Sequence, residues 1–205
     1  MPKEFEAMDS DMIITGINEA DPVFFLHGFG SSATAFQKEW KYVGREGNSY
    51  FINGTEWDQF SNGYRWFPFT SKEEKLSKYI MNAAMMVEKE ILKLETNFIS
   101  IAGHSQGAMI ALELLLRNKI KIKNLWSFCG FLPASLLRPL SLYTTTNVYF
   151  FYSVADKYIS KESFENTCRF FTDARNINIT VNVSQKLDHT FSREWLLHKN
   201  YLKNH

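Results

Sequence analysis

Ser105 stands where two apolar runs meet, in the stretch FISIAGHSQGAMIALELLLRN of residues 98–118. The segment Gly103-His104-Ser105-Gln106-Gly107 fits Gly-x-Ser-x-Gly, a pattern that sets a serine on a sharp turn between a strand and a helix. Side chains at 103 and 107 would collide with that strand and that helix, and glycine avoids both collisions. The N-terminus of the following helix favours negative charge developing beside the serine. A serine hydroxyl at its ordinary pKa is a weak nucleophile, so the position does chemistry only next to a base. The pattern alone would arise by chance in roughly one chain in ten or twenty of this length. Its weight therefore rests on the strand–turn–helix setting and on the partners that other loops supply.

The chain holds five histidines, His27, His104, His189, His198 and His205. His205 is terminal, and His198 falls in the last expected helix. His27, in LHGFG, suits a structural role in its loop, and His104 sits on the turn itself, where it cannot easily fold back onto Ser105. His189, in the loop LDHTFS, is the candidate base. Asp156 directly follows the run NVYFFYSV and is the candidate acid, which would fix the imidazole tautomer and steady the imidazolium. Asp173, inside an expected helix, and Asp188, beside the histidine, are its rivals; a sequence neighbour rarely has the geometry for this role. The order Ser105, Asp156, His189 is one of the known orders of such triads. Backbone N–H donors for a developing oxyanion are expected from Gln106 and from Phe29, with Gly28 and Gly30 letting that loop approach a substrate closely. LHGFGSS lacks both the Gly-Lys-Ser/Thr ending of a phosphate loop and dinucleotide spacing. No Cys/His cluster has metal spacing, so neither a metal nor an organic cofactor is expected.

These loops need strands and helices to hold them. PVFFLHGFG (22–30), NSYFING (48–54), FISIAG, KNLWSFCG (123–130), NVYFFYSVAD (147–156) and INITVNV (177–183) read as strands. SKEEKLSKYIMNAAMMVEKEILKLE (71–95) reads as a helix, with Ser71 and Glu74 as a capping box. AMIALELLLRN, SKESFENTCRFFTDARN (160–176) and FSREWLLHKNYLKN (191–204) read as further helices. TEWDQFSNGYRWFPF reads as an irregular aromatic surface loop. Continuous apolar strands alternating with helices predict an α/β fold, a mostly parallel sheet covered on both faces. In such sheets function collects beyond the carboxyl ends of the strands, where all the candidate loops fall.

With 205 residues, no repeat and no linker, one domain over residues 1–205 is expected. A formal net charge of +1 gives no reason to expect nucleic acid as a partner. The two cysteines, Cys129 and Cys168, do not make a disulfide framework. The N-terminal segment has early acids and no apolar core of a signal peptide, and no apolar run reaches a membrane span, so the cytoplasm is the expected location.

LHGFGSS, GHSQGA, VADKYIS and DHTFS together resemble, in order, the signature loops of α/β-hydrolase serine hydrolases. Among these the chain most resembles the small lidless phospholipase/carboxylesterase group, which includes the acyl-protein thioesterases. Glutamine after the nucleophile and a Trp-Phe pair, here in YRWFPF (64–69), are features of that group. The chain departs from it in reading GFGSS where Gly-Leu-Gly-Asp is frequent, and in placing Asp188 rather than glycine before the histidine. Residues 1–21 are short for the leading hairpin of the fold. The resemblance implies an α/β-hydrolase fold with a minimal cap or none, no cofactor, and carboxylesterase activity, with thioesterase and lysophospholipase as variants. Phe29, Trp66, Phe67, Met109 and Leu132 are candidates for an apolar acyl groove. The partners expected are a small-molecule or lipid-like acyl ester, with no stable membrane insertion; for the chain itself a homodimer is open alongside a monomer. A lyase or acyltransferase on the same fold would keep the triad, whereas a non-catalytic binding protein would not need all of it.

Overall fold

The computed structural model describes residues 12–15, 21–40, 48–191 and 195. A seven-stranded sheet runs in the order β1-β3-β2-β6-β7-β8-β9. Its strands are β1 (Met12–Thr15), β2 (Val23–Leu26), β3 (Ser49–Ile52), β6 (Ile99–His104), β7 (Ile122–Phe128), β8 (Ser141–Ser153) and β9 (Arg175–Ser184). Only β1, at one edge, pairs antiparallel. Of the residues that bear on a leading hairpin, 12–15 form this edge strand; 1–11 and 16–20 lie outside the described residues.

Alternate residues of the central strands enter two cores. Phe24, Leu26, Ile99, Ile101, Val148 and Phe150 face α2 (Glu73–Ile91), α3 (Gln106–Arg117) and α4 (Lys161–Thr172). Val23, Phe25, Ala102, Tyr149 and Phe151 face α1 (Ala33–Trp40) and Trp195. A strand buried on both faces is mostly apolar, which is why these segments read as near-continuous runs; buried Ser100 and Asn124 are exceptions, and Asn124 Nδ2 donates to Ser100 Oγ at 3.2 Å. The other expected features of residues 191–204 lie outside the described residues, apart from Phe191 and Trp195.

The structure differs from the sequence expectation in several places. α1 has no counterpart among the expected elements, although Ser32, whose Oγ accepts from the Ala35 N–H at 3.1 Å, and the buried Ala33, Phe36 and Trp40 are its signal. Residues 55–69 are not an irregular loop: β4 (Glu56–Asp58) and β5 (Gly63–Arg65) form an antiparallel hairpin. Asn62, at φ 52°, closes the turn over residues 59–62, and the Asp58 carboxylate holds the Ser61 N–H and hydroxyl within it. The Ser71/Glu74 capping box does not form. Lys72 occupies the N-cap position of α2, one residue later than the box requires, and makes no side-chain cap. β9 is the edge strand, and its alternating INITVNV is half-exposed rather than buried on both faces. Cys129 and Cys168 are both free thiols.

β7 and β8 are joined by residues 129–140, whose only regular element is a short 3-10 turn at Ala134–Leu136, so no cap is inserted there. No helix among the described residues is long and apolar enough to cross a membrane.

α2 and α3 are tied by a charge pair as well as by packing. Arg117 Nε and Nη2 donate to the two oxygens of Glu88 at 2.7 and 2.9 Å, and Glu88 is 5% exposed. Removing Arg117 takes away both short hydrogen bonds and leaves the buried carboxylate with only the exposed Lys119, whose Nζ lies 3.4 Å from Oε1. Arg117→Met should therefore cost about 3 kcal/mol, and Arg117→Met with Glu88→Leu should recover much of it. Urea unfolding of the variants measures this; a double variant no more stable than the single one overturns it.

Candidate active site

β2 and β6 are neighbours in the sheet, yet the chain leaves them in opposite directions, β2 towards β3 and β6 towards β7. A crevice opens at such a reversal, beyond the carboxyl ends of the two strands. The loops that carry Phe29 and Ser105 lie there.

Ser105 joins β6 to α3 with φ 53° and ψ −114°, a conformation that residues with a Cβ seldom adopt. Its N–H donates to the Phe128 carbonyl at 2.9 Å, and its carbonyl accepts from the Met109 N–H at 3.1 Å. The flanking glycines are required by contact. A Cβ on Gly107 would stand 2.0 Å from the Leu26 carbonyl oxygen, and one on Gly103 would stand 2.3 Å from the Gly107 carbonyl oxygen.

His189 Nε2 lies 2.8 Å from Ser105 Oγ, and His189 Nδ1 lies 2.7 Å from Asp156 Oδ2. The second Asp156 oxygen accepts from the N–H groups of Tyr158 and Ile159 at 2.8 and 2.9 Å. Burial pushes the Asp156 carboxyl up, but the His189 contact and these two N–H groups outweigh it, and the net shift is downward. Asp188 does not meet the ring. Its carboxylate accepts from the His189 backbone N–H at 2.7 Å and lies 3.4 Å from Lys157 Nζ. Asp173 closes α4 at the end away from Asp156.

The acid and base loops are fastened to each other. Buried Ser153 donates its hydroxyl to the Leu187 carbonyl and accepts from the Ala155 N–H at 3.2 Å. Ser184 Oγ accepts from the N–H groups of Lys186 and Leu187 at 3.2 and 3.1 Å. Beyond the histidine, Phe191 packs its ring against Phe36, Trp40 and Phe128. A loop with few backbone partners of its own is thus held from both sides.

The loop after β2 is held as firmly. Its Gly30 N–H donates to the Tyr64 carbonyl at 2.8 Å and the Tyr64 N–H donates to the Ser31 carbonyl at 2.7 Å, so the hairpin buttresses it. His27 Nε2 accepts from the Gly54 N–H at 2.8 Å, which puts the ring proton on Nδ1, 2.6 Å from the Gly28 carbonyl oxygen. The peptide bond is trans, so the Phe29 N–H points away from that carbonyl. Among the described residues neither the Phe29 N–H nor the Gln106 N–H has an acceptor. The Gln106 side chain is engaged elsewhere: Oε1 accepts from the Trp66 N–H at 3.0 Å and Nε2 donates to the Phe67 carbonyl at 2.8 Å.

Ser105 and His189 open into a cleft of about 530 Å³. Phe29, Phe67 and Met109 line it, with Phe69, Phe131 and Tyr158. No Asp, Glu, Lys or Arg is among its lining residues. Trp66 and Leu132, expected in the groove, are not in the lining. Trp66 is buried behind it, its indole N–H spent on the His27 carbonyl at 2.8 Å, and Leu132 is 2% exposed in the core, leaving the cleft wall to Phe131. Phe131 and Tyr158 follow β7 and β8 at their carboxyl ends, so the loop rule that nominated Asp156 was the available signal for them.

His104 faces the base, with ring centroids 5.3 Å apart, and its Nε2 is buried with no partner among the described residues. Burial first, and then the neighbouring His189, lowers its pKa to about 3, so it stays neutral. Cys129 Sγ joins Asp156 and His189 in a group whose ligand atoms lie within 4.8 Å, a set that spacing in the sequence does not reveal. The donor chemistry fits a metal poorly. Burial pushes the Cys129 thiol up, so it offers no thiolate, and the carboxylate and ring nitrogen already bond each other.

A family model described as phospholipase/carboxylesterase matches residues 9–203. A phospholipase/carboxylesterase from Dyadobacter fermentans DSM 18053 has a similar structure, with a TM-score of 0.77 at 21% identity, covering 94% of this chain and 95% of that one. The Bacillus cereus carboxylesterase gives 0.73 at 19% identity, covering 94% and 91%. Arabidopsis thaliana SOBER1 gives 0.67 at 18%, covering 87% and 94%. These likenesses establish the fold. No curated protein sequence matches the chain.

Burial lowers the His27 pKa from 6.5 to about 4, outweighing the contact to Gly28 that raises it. Between those values the unfolded chain binds a proton that the folded chain refuses. The stability linked to His27 is complete above pH 6.5 and is lost as the pH falls toward 4, by about 2 kcal/mol at pH 5. Urea midpoints at pH 7 and pH 5 should show a drop to which His27 and the buried His104 both contribute, and His27→Gln should reduce it without abolishing it. Equal midpoints in the unsubstituted protein overturn the expectation.

Proposed function

Because the chain belongs to the phospholipase/carboxylesterase family, whose members are hydrolases, we propose that it is a serine carboxylesterase working through Ser105, His189 and Asp156. The observation that supports this most is the unbroken contact line from Ser105 Oγ through both ring nitrogens of His189 to Asp156.

In this reaction Ser105 Oγ attacks the ester carbonyl carbon while His189 Nε2 takes the hydroxyl proton. The carbonyl oxygen becomes an anion and is received by the N–H groups of Phe29 and Gln106. The intermediate collapses as the imidazolium returns the proton to the leaving alkoxide, releasing an alcohol and leaving the acyl group on Ser105. Water then enters, gives a proton to His189 and attacks the acyl carbon. A second collapse releases the acid as the His189 imidazolium returns the proton to Ser105 Oγ, restoring the serine. Asp156 accepts from Nδ1 throughout and stabilises the imidazolium without taking its proton.

The cleft favours an apolar, uncharged acyl chain, because no charged side chain lines it to offset the desolvation of a charged one. Thioesters and lysophospholipids present the same acyl carbonyl and belong to the same proposal. Hydrolysis is favoured over acyl transfer or elimination because the family is one of hydrolases, and the partly exposed Ser105 and His189 leave water a path to the acyl-enzyme.

Ser105→Ala should abolish labelling by a fluorophosphonate probe and hydrolysis of p-nitrophenyl esters while the far-ultraviolet circular dichroism is unchanged. Labelling that persists in this variant sinks the assignment. Asp156→Asn should lower kcat by on the order of 10³ to 10⁴-fold, whereas Asp188→Asn should stay within about threefold of the unsubstituted protein. The reverse ranking would make Asp188 the acid.

A further inference from the structure

Gln106 is 3% exposed, Trp66 4% and His27 1%, and all three spend their polar side-chain atoms on backbone groups. The Gln106 carboxamide grips the Trp66 N–H and the Phe67 carbonyl. The Trp66 indole then donates to the His27 carbonyl, and the His27 ring holds the next carbonyl, that of Gly28. A short series of hydrogen bonds thus begins on the side chain of one proposed oxyanion donor and ends on the peptide that carries the other. Each link is buried, so none can be exchanged for water without leaving a donor or acceptor unpaired.

We infer that the Gln106 side chain and the Trp66 indole are positioning residues, a strap that fixes the Phe29 N–H relative to the Gln106 N–H. The inference rests on the function proposed above and adds a task for side chains that touch no reacting atom. Two peptide planes meet at Gly28, and a glycine between them leaves both free to rotate. Holding the His27 carbonyl with the indole and the Gly28 carbonyl with the imidazole removes that freedom. The Phe29 N–H is then aimed before substrate arrives, and no reorganisation is needed as charge develops. Gln106 couples this aim to the elbow, because its own backbone supplies the second N–H. The residue after the nucleophile thus acts through its backbone on the anion and through its side chain on the opposite loop. A smaller apolar residue there would keep the first task and lose the second.

A misaimed donor weakens binding of the anion and leaves binding of the neutral ester nearly intact. Trp66→Phe removes one N–H and keeps a ring; Gln106→Met keeps the length and removes the amide. Each should lower kcat about tenfold, less than the 10² to 10³ of a deleted oxyanion donor, with KM within about twofold. Affinity for a trifluoromethyl ketone, which forms the same tetrahedral anion on Ser105, should fall by the same factor as kcat. Links of one strap fail together, so the double variant should lose no more than about twofold beyond the larger single loss. Fluorophosphonate labelling should persist in every variant, since Ser105, His189 and Asp156 are untouched. Losses that multiply to about a hundredfold, a change confined to KM, or an unchanged kcat in folded variants overturns the inference. If Gln106→Met does not fold, Trp66→Phe alone decides by its split between kcat and KM. An unsubstituted protein that neither labels nor turns over esters overturns the proposed function instead, and the strap with it.

Discussion

A serine held at φ 53° and ψ −114° between a strand and a helix is the constraint on which the cleft depends. That backbone is costly by itself, on the order of 1–3 kcal/mol. It persists because β6 and α3 are packed too tightly for the chain to relax. α3 is buried on nearly every side, and it lies so close to the end of β2 that only glycine fits at 107. The same closeness brings the loops after β2 and β6 side by side, so one packing contact both strains the serine and places it beside the candidate oxyanion loop.

The walls of the cleft follow from how each neighbouring loop satisfies its backbone. The loop after β2 is short and glycine-rich, and it makes few bonds to itself. It borrows partners from the β4–β5 hairpin through Tyr64, from Trp66, and from the ring of His27. The loops after β8 and β9 are joined by the Ser153 hydroxyl, which donates to the Leu187 carbonyl, and by the Val154 N–H, which donates to the Ser184 carbonyl. Most buried polar groups are paired, and here part of that pairing runs across loops, from Tyr64, from Trp66 and from Ser153 to Leu187. Side chains far apart in sequence are thereby held at hydrogen-bonding distance.

The electrostatics of the cleft are simple as a result. His27 and His104 are kept neutral by burial, and Cys129 is kept a thiol. Asp156 is held as a carboxylate by two backbone N–H groups and His189. One buried negative charge faces one partly exposed imidazole, with no other charge lining an apolar cleft. An imidazolium forming at His189 would meet a fixed counter-charge and little competition.

The amino-acid sequence by itself determined the order of the elements, the parallel sheet, the family and the short set of residues that converge at Ser105. Strands buried on both faces need near-continuous apolar runs, and a strained turn needs glycines, so both constraints are written locally. The Asn-Gly of the hairpin and the Ser32 cap of α1 were also written there, in short signals outweighed by the aromatic and polar residues around them. What only the tertiary structure decided is which side chains meet. Asp156 rather than Asp188 stands against the His189 ring, because an adjacent residue bonds the backbone N–H and cannot reach round to Nδ1. Trp66 turns behind the cleft, where its indole N–H is held by the His27 carbonyl, and Phe131 turns into it. Such choices depend on distances between segments up to 84 residues apart, and no local pattern encodes them.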